Sequence, residues 1–456
     1  MMIRREFLRN ALASASVVTV AAFPATTDRR PNMVVILVDD MRWDMMSCLG
    51  HPFLKTPQLD RVRREGVMFS NAFVTTSLCS PSRATFLTGT YAHRHGVTDN
   101  TGKELDPDKT PVFPTLLQAG GYETAYVGKW HQGRTAAPRR GFDYWLSFLG
   151  QGVYKDPKLN ENGRDFQEKG YITDILTDKA VAWLDRKREK PFCLYLAHKA
   201  IHGPFDPPER HNDLFAGVTP PEPASFREDL ASKPAWQRKG QPSVKQGNWP
   251  PPNTKFMDYY RVLAAVDDSV GRVYEALKRN GTLDNTVFLF TSDNGYFKGE
   301  HAGMGDKRLA YEESMRIPML LRYPKLAKPG GTIPGMVLNL DVAQTMLDLA
   351  GLKPAPTMQG RSMKPLLEGK TKGWRENFLY EYWVDLNTIP RMVGIRTESA
   401  KYVKYPDIQD LDELYDLRKD PGELKNLAAD KEWSAVKKKL QAELEKLMRD
   451  TGYPSS

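Results

Sequence analysis

PNMVVILVDD, residues 31–40, carries the first decision about this chain. The run is apolar, rich in β-branched residues and short, so it reads as a strand buried on both faces, the mark of a parallel sheet covered by helices. It ends in two carboxylates, Asp39 and Asp40. In open α/β sheets ligands gather beyond the carboxyl ends of the strands, which puts both on the active face. Adjacent carboxylates repel each other unless a cation or a shared proton relieves them, and a hard divalent ion with oxygen ligands, such as calcium, suits the pair. A strand-ending Asx turn is the plainer alternative.

The pattern recurs along the chain. Residues 122–130 form a strand ending in Gly128-Lys129-Trp130-His131, where alternation brings Lys129 and His131 to one face, suited to a doubly anionic or developing negative group. Residues 191–197 form another, followed by His198-Lys199-Ala200-Ile201-His202-Gly203-Pro204. TVFLFTSD, residues 286–293, ends in Asp293 and is followed by Asn294 and Gly295. Helices are expected over 56–66 and 111–121, an amphipathic one over 171–188, and a long one over 257–281 with Val262, Leu263, Val266, Val270, Val273 and Leu277 facing the core. Residues 138–169 show no clear period and read as a long substrate-facing excursion, and 207–253 as a surface loop over the pocket rim.

LCSPSRATFLTGTYAHRHG, residues 78–96, adds a reactive side chain. Cys79 is followed by Pro81 and Arg83, and 84–89 reads as a short helix that could aim its backbone N–H groups at Cys79. A thiol beside an arginine and near a helix start is expected to ionise easily. A buried structural cysteine is the plain alternative.

Cys79-Ser80-Pro81-Ser82-Arg83 followed by Leu87-Thr88-Gly89 resembles the signature of the type I, formylglycine-dependent sulfatases of the alkaline phosphatase superfamily. The resemblance continues through the Lys129/His131 and His202 stretches and Gly299-Glu300-His301-Ala302-Gly303 with Lys307, to Leu414-Tyr415-Asp416 near the end. It implies an α/β fold, a large mixed sheet between helices with a small C-terminal antiparallel sheet plus helix. It implies that Cys79 is oxidised after translation to formylglycine, whose hydrate attacks the sulfur of a sulfate ester. It assigns Asp39, Asp40, Asp293 and Asn294 to a calcium ion, with an oxygen of modified Cys79 or of substrate completing the shell. Arg83 would hold the aldehyde hydrate, and His131 would take a proton from it as sulfate leaves. Lys129, His202 and Lys307 would bind the sulfate group, with His202 also serving the leaving alcohol. His198 and Lys199 stay open as substrate contacts, and His301 is expected to hydrogen-bond a loop. The flanks 71–76 and 93–97 look most like the branch acting on sulfated carbohydrates, including N-acetylglucosamine 6-sulfate.

The remaining signals bound the setting. At 456 residues with 27% charged and 10% aromatic residues, the chain is neither disordered nor short of a core. Its net charge of +9 suits an anionic partner. No finger, helix-turn-helix or stacking motif accompanies the basic residues, so nucleic acid is the weakest candidate. Three cysteines, Cys48, Cys79 and Cys193, cannot form a disulfide framework, and two free thiols are expected beside Cys79.

The first residues have a basic head, Arg4-Arg5-Glu6-Phe7-Leu8-Arg9, resembling the twin-arginine export signal, and a stretch too short and weakly apolar to span a bilayer. The expected division is a signal peptide over 1–27, a catalytic domain over 28–370 and a smaller subdomain over 371–456. The partners that follow are a sulfated carbohydrate, a formylglycine-generating or other maturing enzyme, and the twin-arginine machinery. The destination is periplasmic or extracellular in a bacterium, with no stable membrane insertion. A phosphodiester or phosphonate monoester hydrolase with the same nucleophile, or a silent glycan-binding protein, are the rivals.

Overall fold

A computed structural model of the chain describes residues 30–106, 108–239, 256–384 and 388–454. The leader over 1–27 and residues 240–255 of the rim loop therefore lie outside the described residues. The run that opened the reading forms the strand Asn32–Val38, buried throughout. It pairs in parallel with Phe192–Ala197 on one side and Thr286–Ser292 on the other. Glu123–Lys129 continues beyond Phe192–Ala197, and Tyr144–Phe148 beyond that, still parallel. Antiparallel pairings at each flank, among them Met319–Arg322 against Thr286–Ser292, complete a ten-stranded mixed sheet.

Alternation along Asn32–Val38 divides the core. Val34, Ile36 and Val38 face a layer containing helices Pro57–Glu65, Ile172–Leu184 and Phe256–Arg279. Met33, Val35 and Leu37 face Cys79–Thr88, Phe113–Ala119 and Asp341–Leu349. Period two in the strand and period 3.6 in the helices thus meet on both faces. All six apolar stripe residues expected on the long helix are buried.

A third core joins a separate four-stranded antiparallel sheet, built from Asn377–Tyr382, Met392–Thr397, Ala400–Lys404 and Glu413–Asp416, to the helix Ser434–Thr451. The alkaline-phosphatase-like arrangement implied by the resemblance is the fold observed. The last of these strands contains the Leu414-Tyr415-Asp416 motif. Cys48 is exposed, Cys193 is buried in a strand, and both are free. Among the described residues no helix is long and apolar enough to cross a membrane.

The reading of 138–169 as an excursion needs correction. Tyr144–Phe148, Lys158–Glu161 and Arg164–Gln167 extend the large sheet to its edge. The overlooked signal was Asn162-Gly163, both at positive φ (51° and 93°), the pair that a tight hairpin between the last two strands requires. Lys158–Glu161 and Arg164–Gln167 are short and partly exposed, so they carry no apolar run.

One close approach is decisive for the site. Gly128 sits at φ +122°, and a Cβ there would fall 1.8 Å from the Ala197 carbonyl oxygen. Gly128→Ala is expected to cost about 3 kcal/mol or more through strain and clash. Urea unfolding would measure it, and a loss below about 0.5 kcal/mol, the range of a neutral surface change, would contradict the reading.

Candidate active site

The parallel strands deliver their chemistry at one end. Asp39 and Asp40 follow Asn32–Val38, Asp293 and Asn294 follow Thr286–Ser292, Lys129 closes Glu123–Lys129, and His198 and Lys199 follow Phe192–Ala197. Backbone bonds carry the pairing past the strand ends: the Asp39 N–H donates to the Ala200 carbonyl (2.8 Å) and the Asp293 N–H to that of Val38 (2.9 Å). Asp40 departs into the left-handed region at φ 64°, and its N–H turns to Asp293 Oδ1 (3.2 Å). Tyr259, from the long helix, donates its hydroxyl to the Asp40 carbonyl (2.9 Å).

Cys79 is the first residue of the helix Cys79–Thr88, all ten residues of which are buried. The helix therefore starts five residues earlier than the apolar run suggested, with Pro81 in its first turn, where a missing N–H is harmless. The Cys79 thiol lies 3.5 Å from Asp39 Oδ1. Asp39, Cys79 and His202 each place a ligand-type atom within 4.8 Å of the others, and so do Asp39, Asp40 and Asp293. The expectation that the thiol ionises easily is overturned: burial, then the Asp39 carboxylate, push it up to about 12. A nearby helix start does not outweigh desolvation and a facing carboxylate.

Three cations balance the three carboxylates. Arg83 Nε donates to Asp293 Oδ2 (2.8 Å), Nη1 to the Lys129 carbonyl (2.8 Å) and Nη2 to the His198 carbonyl (3.4 Å), with Asp39 at 3.5 Å. Lys129 Nζ pairs with Asp39, and Lys307 Nζ with Asp40. Burial favours the neutral carboxyl, yet Lys129, His202 and Arg83 together hold Asp39 well below its usual range. At Asp40 and Asp293 burial prevails, and these rise to about 7 and about 6.

The donors present fit a hard divalent ion. Asp39, Asp40, Asp293 and Asn294 offer oxygens, and Asp40 Oδ2 and Asn294 Oδ1 are buried without a hydrogen-bond partner among the described residues. Asn294 Nδ2 donates to Asp40 Oδ1 (2.6 Å), which fixes the amide with its oxygen free. A buried acceptor without a donor is costly unless an ion takes it.

The other residues singled out in the sequence sort themselves by contact. His131 joins the cluster, but through a turn: the strand stops at Lys129, and His131 takes φ 57°, so alternation was not the cause. Burial, then Lys129, lower its pKa, and its Nδ1 has no partner among the described residues. His202 lies with Nε2 3.9 Å from Asp40 Oδ2, and burial, Lys307 and Lys129 bring it down to about 2. His198 is buried against Ser269 Oγ (2.9 Å). His301 is bound to Glu228 (2.9 Å) and Glu313 (3.4 Å), the first of them in the rim loop.

The flank over 93–97 is structural. His93 bridges Glu381 (3.0 Å) and the Thr451 carbonyl (3.0 Å), and His95 bonds Thr85 (3.0 Å). Sequence reasoning missed Gln151, whose Oε1 accepts from Lys129 Nζ (2.5 Å). Its Gly150 and Gly152 neighbours, both at positive φ, were the available signal.

Comparison with known proteins agrees with this geometry. The sulfatase family model matches residues 31–352, and the model described as N-sulphoglucosamine sulphohydrolase, C-terminal, matches 299–450. An N-acetylglucosamine-6-O-sulfatase of Bacteroides thetaiotaomicron is 34% identical, over 96% of this chain and 90% of the relative. The solved structure of BT4656 in complex with its substrate D-glucosamine-2-N,6-O-disulfate superposes with a TM-score of 0.86 at 34% identity, covering 93% of this chain and 98% of that one. A phosphonate monoester hydrolase of Agrobacterium radiobacter is more distant, with a TM-score of 0.74 at 25% identity, covering 92% of this chain and 96% of that one.

Arg83 holds the arrangement together. Arg83→Met is expected to destabilise the fold by about 3–5 kcal/mol, because Asp293 and Asp39 lose a buried partner. Denaturant unfolding would report this, and a change below about 1 kcal/mol would contradict it.

Proposed function

The chain belongs to the sulfatase family and is a sulfuric ester hydrolase, and from that premise we propose that it removes the sulfate ester from a sulfated glucosamine unit of a glycan. The observation that carries the reading is the meeting of Cys79, Asp39 and His202 beside three buried cations at the strand ends. The choice of glucosamine is supported by the 34% identical sulfatase and by the disulfated glucosamine bound to BT4656.

In this proposal Cys79 is matured to formylglycine, whose hydrate would supply the oxygen nucleophile that a thiol held near 12 does not. Asp39, Asp40, Asp293, Asn294 and the modified Cys79 would hold a calcium ion, which supplies Lewis-acid stabilisation of negative oxygen. Arg83 clamps Asp293 and the Lys129 and His198 carbonyls, so it fixes the position of the helix that bears Cys79. Lys129 and Lys307 bind the sulfate oxygens and stabilise the charge that grows as the S–O bond breaks. His131 takes a proton from the nucleophile when sulfate leaves.

His202 donates to the leaving alcohol. Burial, then the field of Lys307 and Lys129, keeps it neutral here, and an anionic ester seated between the lysines opposes their field, so substrate binding favours its protonation. Residues 28–370 make the catalytic unit and 371–456 the attachment, and the basic leader directs export after maturation.

The test compares sulfate release from glucosamine 6-sulfate with turnover of a matched phosphodiester. A preference for the sulfate ester is expected, and a strong preference for the diester would overturn the assignment. His202→Ala is expected to lower kcat about 10²–10⁴-fold for an alkyl sulfate and far less for an aryl sulfate with a good leaving group. Equal losses on both would remove His202 as the proton donor. Chelation is expected to cost about 3 kcal/mol of stability if the ion is held at a hundredfold its Kd. Thermal unfolding measures this, and Asp40→Asn should be insensitive to the chelator; equal sensitivity of both proteins would contradict the ligand set.

A further inference from the structure

Lys199 stands directly after His198, in the turn where the His202 N–H donates to the Lys199 carbonyl (3.1 Å). The residue is 1% exposed, and its ammonium has no hydrogen-bond partner among the described residues. Its ammonium lies over the face of the Tyr154 ring, 4.7 Å from the centroid. Tyr154 is itself fixed, donating to the His202 carbonyl (2.6 Å) and stacking on Tyr171 at 5.7 Å.

The other buried cations of the site each have a carboxylate: Arg83 has Asp293, Lys129 has Asp39 and Lys307 has Asp40. Among the described residues Lys199 has a ring face alone. A ring quadrupole attracts an ammonium but does not replace its hydration. Burial, then Lys129, oppose its protonation, and Asp39 and Asp40 favour it. The ring that carries its ammonium is bonded to the His202 carbonyl, so the ammonium stands on the His202 side of the catalytic cluster. Two neighbouring ammonium groups repel each other unless an anion lies between them, and the anion that this site receives is the sulfate ester.

We propose that Lys199 is a further sulfate-binding residue, contacting the oxygens of the transferred sulfuryl group beside Lys129 while Tyr154 holds its stem in place. This inference rests on the sulfate-ester reading and assigns Lys199 to the reacting group rather than to a second anionic substituent of the sugar.

The test uses Lys199→Met, which keeps the stem and removes the charge, and Lys199→Arg, which keeps a cation. Inorganic sulfate binding is followed by calorimetry, and kcat/KM is measured on an aryl sulfate, glucosamine 6-sulfate and D-glucosamine-2-N,6-O-disulfate. Lys199→Met is expected to weaken sulfate binding at least tenfold and to lower kcat/KM by a similar factor on all three esters, with no fall in the unfolding temperature. Lys199→Arg is expected to retain sulfate binding within a few-fold, and it carries the test if the methionine variant does not fold.

Unchanged sulfate affinity in Lys199→Met would overturn the proposal. So would a loss confined to the disulfated sugar, which would place the ammonium on the second anion, and so would loss of sulfate binding in Lys199→Arg with the fold intact. If wild-type protein with oxidised Cys79 released sulfate from no ester, the functional reading would fall. The inorganic sulfate titration would still judge Lys199.

Discussion

Three carboxylates buried at the ends of neighbouring strands can persist only because three buried cations meet them, and the site is organised by that match. Asp39 is paired with Lys129, Asp40 with Lys307, and Asp293 with Arg83. Each pair joins different elements: the sheet to itself, the sheet to the loop beyond Gly303, and the sheet to the helix that starts at Cys79. Removing one member leaves a buried charge without a partner, which costs far more than a surface pair contributes.

The geometry is bought with local strain and close backbone packing. Asp40 and His131 take left-handed conformations in the site, and Gly128 and Gly295 lie where a Cβ would meet a backbone oxygen at 1.8 Å and 2.0 Å. Such positions persist only when the surroundings over-determine them. The C-terminal sheet contributes to this. Glu381 receives His93 beyond the catalytic helix, and Lys401 bonds both Glu312 (3.2 Å) and Glu423 (2.6 Å). The small sheet thus buttresses the loops that deliver Lys307 and Glu313.

Much of this was legible in the chain because buried parallel strands advertise themselves. The run ending in Asp39 and Asp40, the TSD preceding Asn294 and the GKW preceding His131 each marked a strand and its functional end. What the sequence could not reveal was environment. Cys79 beside Arg83 suggested an acidic thiol, but burial and Asp39 reverse the sign. His93 and His95 carried a likeness to one branch of the family, and their own contacts, with Glu381 and Thr85, pin a helix. Lys129 and His131 meet because of a turn that alternation does not describe. The edge strands at 158–161 and 164–167 escaped because partly exposed strands lack a continuous apolar run, although Asn162-Gly163 marked their hairpin. Gln151 was marked only by its two glycine neighbours, because its contact is with Lys129, 22 residues earlier in the chain though adjacent in space.

The central claim is that Cys79 does its chemistry as an aldehyde and not as a thiol. Mass spectrometry of the peptide spanning residues 78–83, from protein made in its native host and treated with a carbonyl-reactive hydrazine, addresses it directly. The account predicts loss of the sulfur and capture of the hydrazine at residue 79 in active protein. A fully active preparation whose Cys79 remains an unmodified thiol would contradict it.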